Sequence, residues 1–240
     1  MNRVRVSVII PTRNEAGAIG RVLADIPAGM VTEVIVVDSN SSDETPQIAA
    51  RMGARVISES RRGYGRACLT GLASANDPAI VVFLDGDYSD RPEELPLLLA
   101  PILEGRADIT LGSRLAGTRS KGALPWHQAF GNRLAAALIN SLYGLQISDL
   151  GPFRAVRADV VRAVSLEETT YGWAVELILK GAIARYRIVE VPVSYRPRIG
   201  QSKISGTVRG TLGAAWFILS RIVQYYFGHR KPLSRNTRQS

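Results

Sequence analysis

Cysteine is nearly absent from this chain and histidine is scarce: Cys68 stands alone, and His127 and His229 are the only imidazoles in 240 residues. A single thiol excludes an intrachain disulfide and points to a reducing compartment. One thiol and two distant histidines are too few to assemble a Cys/His zinc site. No Gly-x-Ser-x-Gly elbow occurs, which argues against a Ser-His-Asp nucleophile. Long hydrophobic runs are missing as well, since no uncharged apolar stretch reaches the ~20 residues that a spanning helix requires. Residues 1–5 carry charge but neither an apolar h-region nor a small-residue cleavage site. The expectation is therefore a cytoplasmic protein, soluble or peripheral on the inner face of a membrane. Acid is the last scarcity. Residues 181–240 hold 11 Lys+Arg against one acid, Glu190, whereas residues 1–180 hold 19 against 20. The whole +9 excess sits in the last quarter, which points to an acidic partner: phosphate groups, an anionic membrane surface or nucleic acid.

What is present reads as one large α/β domain with a short appendage, because 46% hydrophobic residues supply a full core and 21% charged residues cover it. Four runs rich in β-branched residues, 6–10, 34–37, 55–57 and 79–84, read as strands. A polar loop and a helical pattern follow each of the first three. That order predicts a Rossmann-like, mostly parallel central sheet flanked by helices, with right-handed crossovers placing the loops on one rim. Pro11 is expected to end the first strand. Thr12 and Glu15 have the form of a capping box, predicting a helix from near Asn14 to about Ile26 whose N-terminus faces a polar or anionic ligand. Asp38 stands where a ribose or base would be met. Gly63 and Gly65 open the third helix at a spacing that can bring backbone N–H groups to a phosphate. This is not a full G-x-G-x-x-G, so a dinucleotide fingerprint is not supported.

The fourth strand ends in Asp85-Gly86-Asp87. Two carboxylates at the tip of a buried strand repel each other and need positive charge. Mg2+ or Mn2+, shared with substrate phosphates, supplies it economically, while an acidic turn is the plain alternative.

Five segments in this order carry a resemblance: residues 8–15, the Val36-Val37-Asp38 loop with Asp43, Leu84-Asp85-Gly86-Asp87, Gly112-Ser113-Arg114, and the stretch from Asp149 to Arg154 that contains Gly-Pro-Phe-Arg. Together they resemble the family-2 nucleotide-sugar glycosyltransferases, most closely the dolichol- and polyprenyl-phosphate mannose synthase group, over about residues 4–210. The resemblance implies a GT-A fold and inverting transfer of a hexose, mannose or glucose, from a GDP- or UDP-hexose donor to a polyprenyl phosphate acceptor. By position, Pro11, Thr12, Arg13, Glu15, Asp38 and Asp43 would line the nucleoside pocket, and Asp85 and Asp87 would hold Mg2+ or Mn2+ on the diphosphate. The second loop, Ser39-Asn40-Ser41, departs from the Asp-Asp-Gly-Ser usual in the family.

A hydroxyl acceptor needs a general base, for which Asp149 or Glu176 could serve; a lipid phosphate needs cations instead. Arg114, Arg133 and Arg154 are the candidates to hold it, with Arg119 and Lys121 nearby. Aromatics ahead of Glu176 read as core packing rather than a sugar platform. Arg198 and Lys203 lie in a Gly-hinged basic segment suited to closing over the diphosphate. No RNA or DNA motif accompanies it, so nucleic acid is not the expected partner. Domain limits are set at 1–206 for the catalytic unit, with a nucleotide-binding half of about 1–110 and an acceptor half of 111–206. Residues 207–229 form an amphipathic helix with Arg209, Gly213, Ser220 and Gln224 on its polar strip and Ala215, Ile218, Ile222 and Tyr225 opposite. That helix is expected to lie on an anionic membrane surface, or alternatively to pack on the catalytic unit or form a homo-oligomer, ahead of a basic disordered tail over 230–240. Same-fold transfer to a saccharide and a non-catalytic nucleotide-binding scaffold stand as alternative functions.

Overall fold

The structure, a computed structural model, describes residues 4–200 and 208–228, with side chains in the last helix from Ile218 onward. In chain order its elements are β1 (Val6–Thr12), α1 (Ile19–Asp25), β2 (Glu33–Asp38), α2 (Thr45–Arg51), β3 (Arg55–Ser58), α3 (Tyr64–Ser74) and β4 (Ile80–Phe83). A short 3-10 turn at Pro92–Glu94 leads into α4 (Leu95–Leu103), β5 (Ile109–Ser113), α5 (Trp126–Tyr143), β6 (Arg154–Arg157) and α6 (Ala158–Val164). The chain continues through α7 (Trp173–Ile183), β7 (Ile188–Pro192) and α8 (Val208–Gly228). The strands form one seven-stranded sheet ordered β3-β2-β1-β4-β6-β5-β7, in which only β6 runs antiparallel to its neighbours.

Alternation along each strand divides the core. Ile9, Ile35, Val37, Val81 and Phe83 face the layer that includes α7, where Phe83 meets the fully buried Trp173 edge to face at 4.4 Å. Val8, Ile10, Val36, Val82 and Leu84 face the layer that includes α4. Strands apolar on both faces, covered by helices on both sides, are what a parallel sheet demands.

Strand β1 runs through Pro11 rather than ending there, and the reason is positional. Thr12 O accepts from Ser39 N on the β2 side, and Ile9 O accepts from Leu84 N on the β4 side. Pro11 shares the side of Ile9, but β4 pairing ends at Ile9 with Phe83, so the missing N–H costs no ladder bond.

The capping box does not form. Thr12 is still in the strand and donates its hydroxyl to Val37 O. Residues 14–16 are stitched instead to the segment between β2 and the start of α2: Asn14 N donates to Ser41 Oγ at 2.8 Å, Glu15 N to Thr45 Oγ1 at 2.7 Å and Ala16 N to Asp43 Oδ2 at 3.1 Å. With those N–H groups satisfied, α1 starts only at Ile19.

The last helix corrects a second expectation. Ile222 is fully buried, and Ile218 and Tyr225 pack on the core beside α7, so the described part of the apolar face assigned to a membrane packs on the protein itself. Ser220 and Gln224 are exposed, as the polar strip requires. Lys203 and the tail 230–240 lie outside the described residues, as do the side chains of Arg209 and Ala215.

Candidate active site

Parallel strands present their C-terminal ends on one rim, so the residues following β1, β2 and β4 converge. They border a cavity of about 460 Å3 lined by Pro11, Thr12, Arg13, Glu15 and Ser39, by Arg62, Gly63, Tyr64 and Ala67 from the start of α3, and by Asp85, Gly86 and Asp87. Thr170, Tyr171 and Arg198 complete the wall. The aromatics ahead of Glu176 therefore divide: Trp173 is core, whereas Tyr171 borders the cavity.

The carboxylates at the tip of β4 are unequal. Asp87 Oδ1 accepts from Ser89 N and Oγ at 2.9 and 2.5 Å, while its Oδ2 lies 3.2 Å from Arg198, which also approaches Glu15 at 3.7 Å. Asp85 accepts from the Tyr64 phenol at 3.0 Å. Burial and the neighbouring Asp87 push Asp85 up to about 7. Asp90, only 2% exposed, has no hydrogen-bond partner on either oxygen among the described residues. Burial and then the charges of Asp85 and Asp87 lift its pKa well above the carboxylate range. Gly86 is required by packing: a Cβ there would meet Thr12 Cγ2 at 2.7 Å.

Negative charge is thus undercompensated at one point beside the cavity. Hard oxygen donors in such a place are of the kind that suits Mg2+ or Mn2+, and Asp85 and Asp87 would be the protein's ligands for such a cation. Among the described residues no three Asp, Glu, His or Cys side chains converge to hold a metal alone.

The remaining sequence candidates separate. Arg114 is 8% exposed and forms a forked pair with Asp149, Nε to Oδ2 at 2.7 Å and Nη2 to Oδ1 at 2.8 Å, while its own N–H donates to Oδ2 at 3.0 Å. Burial raises the Asp149 pKa, but the Arg114 hydrogen bonds outweigh it and hold the carboxyl below its ordinary value. Asp149 is itself set in place by Glu190, which accepts from Asp149 N at 3.0 Å and Ser148 N at 2.9 Å. Arg154 is fully buried and spends its guanidinium on the carbonyls of Gly151, Pro152 and Ala174. It braces the turn before β6 and is no surface grip for a phosphate. Glu176 is likewise caged, accepting from Glu167 N, Glu168 N, Lys180 and Tyr225 between 2.8 and 3.0 Å. Arg133 stands apart on α5, in a different groove.

Three further placements differ from the sequence reading. Gly65 gives its N–H to Thr170 O at 3.0 Å, and a Cβ there would lie 2.3 Å from Glu168 O, so this glycine docks a loop and offers nothing to a phosphate. Both oxygens of Asp38 turn inward to Ser41, and Asp43 holds Thr45 and Ala16 N. Neither acid borders the cavity; both act from behind its wall, on the loop that contributes Ser39.

Sequence reasoning gave no site role to Tyr64, Asp90 or Glu190, and took Arg196 only as one cation of the basic segment. Asp90 had a usable signal, three residues beyond Asp87 in the same acidic turn. The partners of Arg196 had none: its guanidinium lies 3.1 Å over the Tyr88 ring and reaches Asp25, across more than a hundred residues. That contact, with Arg196 N donating to Ser89 O and Ile199 N to Asp87 O, fastens the basic segment to the Asp85–Asp87 turn.

Comparison with known proteins bears on the family and the fold. The chain is 37% identical over 221 residues to an uncharacterized glycosyltransferase of Mycobacterium tuberculosis, covering 90% of this chain and 98% of the relative. It is 37% identical over 202 residues to the dolichyl-phosphate hexose transferase of Haloferax volcanii, covering 83% and 86%. Glucosyl-3-phosphoglycerate synthase of M. tuberculosis, in complex with Mn2+, UDP-glucose and phosphoglyceric acid, superposes with a TM-score of 0.74 at 25% identity, covering 95% of this chain and 80% of the other. The family described as glycosyl transferase family 2 matches residues 7–165, and the chain belongs to that family, with its GT-A fold.

Proposed function

We propose that the enzyme transfers a hexosyl group, mannose or glucose, from a nucleoside-diphosphate sugar to a polyprenyl phosphate with inversion. The observation that carries this reading is the state of the two carboxylates considered as bases. Asp149 is locked to Arg114 and Glu176 is caged by four donors, and in both cases these bonds outweigh burial and favour the ionised form. Neither is poised to take a proton from a hydroxyl. An acceptor phosphate needs no base, because its second ionisation near pH ~6 leaves it mostly dianionic at neutrality.

Its oxygen attacks the anomeric carbon opposite the diphosphate, the glycosidic C–O bond breaks, and the electron pair leaves on the diphosphate. Arg114, held rigid by Asp149 with Nη1 outside that pair, positions the incoming anion. Pro11, Thr12, Arg13 and Glu15 take the nucleoside, and Arg198 reaches the diphosphate. Asp85 and Asp87 hold Mg2+ or Mn2+, which, when bound, offsets charge growing on the departing nucleotide. The name of the Haloferax relative supports the lipid phosphate acceptor.

A second reading, transfer to the hydroxyl of a small phosphorylated acid, is favoured by the likeness to glucosyl-3-phosphoglycerate synthase. A donor screen over GDP- and UDP-hexoses with Mn2+, offering short-chain polyprenyl phosphate and 3-phosphoglycerate in parallel and reading product mass, separates the two. Glycolipid is the expected product; sugar appearing only on phosphoglycerate would overturn the proposal.

A further inference from the structure

The outer face of α5 carries an exposed stripe that no other described residue covers. Trp126 is 81% exposed, Phe130 63% and Leu134 48%. Spaced by four, they fall within an arc of about 80° on the helix. Ala135, Ala136 and Ile139, the buried residues of α5, centre on the opposite side. The helix is thus anchored by one apolar face and presents a second to solvent. Two aromatics of this exposure bare roughly 300 Å2, the size at which an apolar patch on a soluble chain signals a partner. Beside them runs a groove of about 550 Å3 bordered by Arg119, Leu124 and Arg133.

The charge around the stripe has one sign. From residue 109 to residue 148 there is no Asp or Glu, while Arg119, Lys121 and Arg133 are all exposed. We infer that this face, and not α8, docks the protein on an anionic lipid surface, with Trp126, Phe130 and Leu134 entering the headgroup boundary and the three cations meeting lipid phosphates. A second copy of the chain is a poorer occupant, because a two-fold contact would bring the same three cations face to face. The surface is joined to the reaction centre by one segment. Arg119 bridges to Tyr195, whose ring lies 5.1 Å from the Arg114 guanidinium.

The inference does not rest on the acceptor proposed above, and its test uses vesicles of phosphatidylcholine with or without phosphatidylglycerol, free of any polyprenyl phosphate. Full-length protein is expected to co-sediment with the anionic vesicles. The double variant Trp126→Ser/Phe130→Ser is expected to lose partitioning roughly tenfold or more. Both side chains are exposed, so its thermal melt should match that of the parent. Val223→Ser/Phe227→Ser, which alters the exposed apolar residues of α8, should still bind. Vesicle binding unchanged in the α5 variant, or absent in the parent while gel filtration shows an α5-dependent dimer, overturns the inference. Glycolipid synthesis without vesicle binding would do so too, leaving the acceptor reading intact.

Discussion

Asp85 should cost the cation-free enzyme stability at neutral pH and above. Its pKa rises from 3.8 to about 7 on folding, so the folded state prefers the neutral carboxyl. Stability is complete below about pH 4, where folded and unfolded chains are both protonated, and declines as pH rises toward 7. A lift of that size corresponds to about 4 kcal/mol as an upper bound. Because Asp85 is only half-buried and borders the cavity, screening reduces the working figure to about 2 kcal/mol. Asp85→Asn removes the charge while retaining an acceptor for the Tyr64 hydroxyl. In chelator-containing buffer at pH 8 the variant should therefore melt above the parent by ~4–8 °C, and at pH 4 the two should nearly coincide. Added Mn2+ should raise the parent's melting temperature at pH 8 and leave the variant's largely unmoved. The measurement is thermal unfolding by circular dichroism across pH 4–8. A variant equally displaced at both pH values, or less stable than the parent at pH 8, would refute the assignment of uncompensated charge to this carboxyl.

Three other outcomes follow from the same geometry. Asp87→Ala should keep the fold, read by circular dichroism, and lose sugar transfer in the mass-resolved assay; full activity would remove it from the cation and diphosphate site. Asp149→Asn strips the buried Arg114 of its counter-ion and should cost about 3–5 kcal/mol in denaturant unfolding, whereas Glu176→Gln, far from substrate in this reading, should lower stability with turnover per folded molecule retained. Gly86→Ala should destabilise by about 1–3 kcal/mol through the 2.7 Å approach to Thr12 Cγ2, and Thr12→Ser, which lacks that methyl, should recover most of it in a double-mutant cycle.

How far the sequence reached depended on the range of the interaction involved. Strand runs such as 34–37 and 79–84 are legible because burial on both faces leaves a continuous apolar signature, and the order of elements fixes a parallel sheet by the handedness of crossovers. The Asp85-Gly86-Asp87 turn is legible because its chemistry is local: two charges beside one another need an answer wherever the fold puts them. Local pattern misled at Thr12, where a cap signature is overridden by a hydrogen bond to the neighbouring strand, and at Gly65, whose N–H is taken by a loop about a hundred residues away.

What the sequence determined by itself was the composition of the site: its acids, its arginines and the strand ends that bring most of them to one rim. Only the tertiary structure decided which of those charges are free to act. Asp149 with Arg114, Arg154 with its three carbonyls and Glu176 with its four donors look alike in a string of letters. A buried charge must find partners, and those partners come from distant segments whose meeting is set by packing. The same reason separates the two C-terminal expectations: periodicity gave α8 an apolar face, but only the packed helices show that face covered while the aromatics of α5 stand exposed.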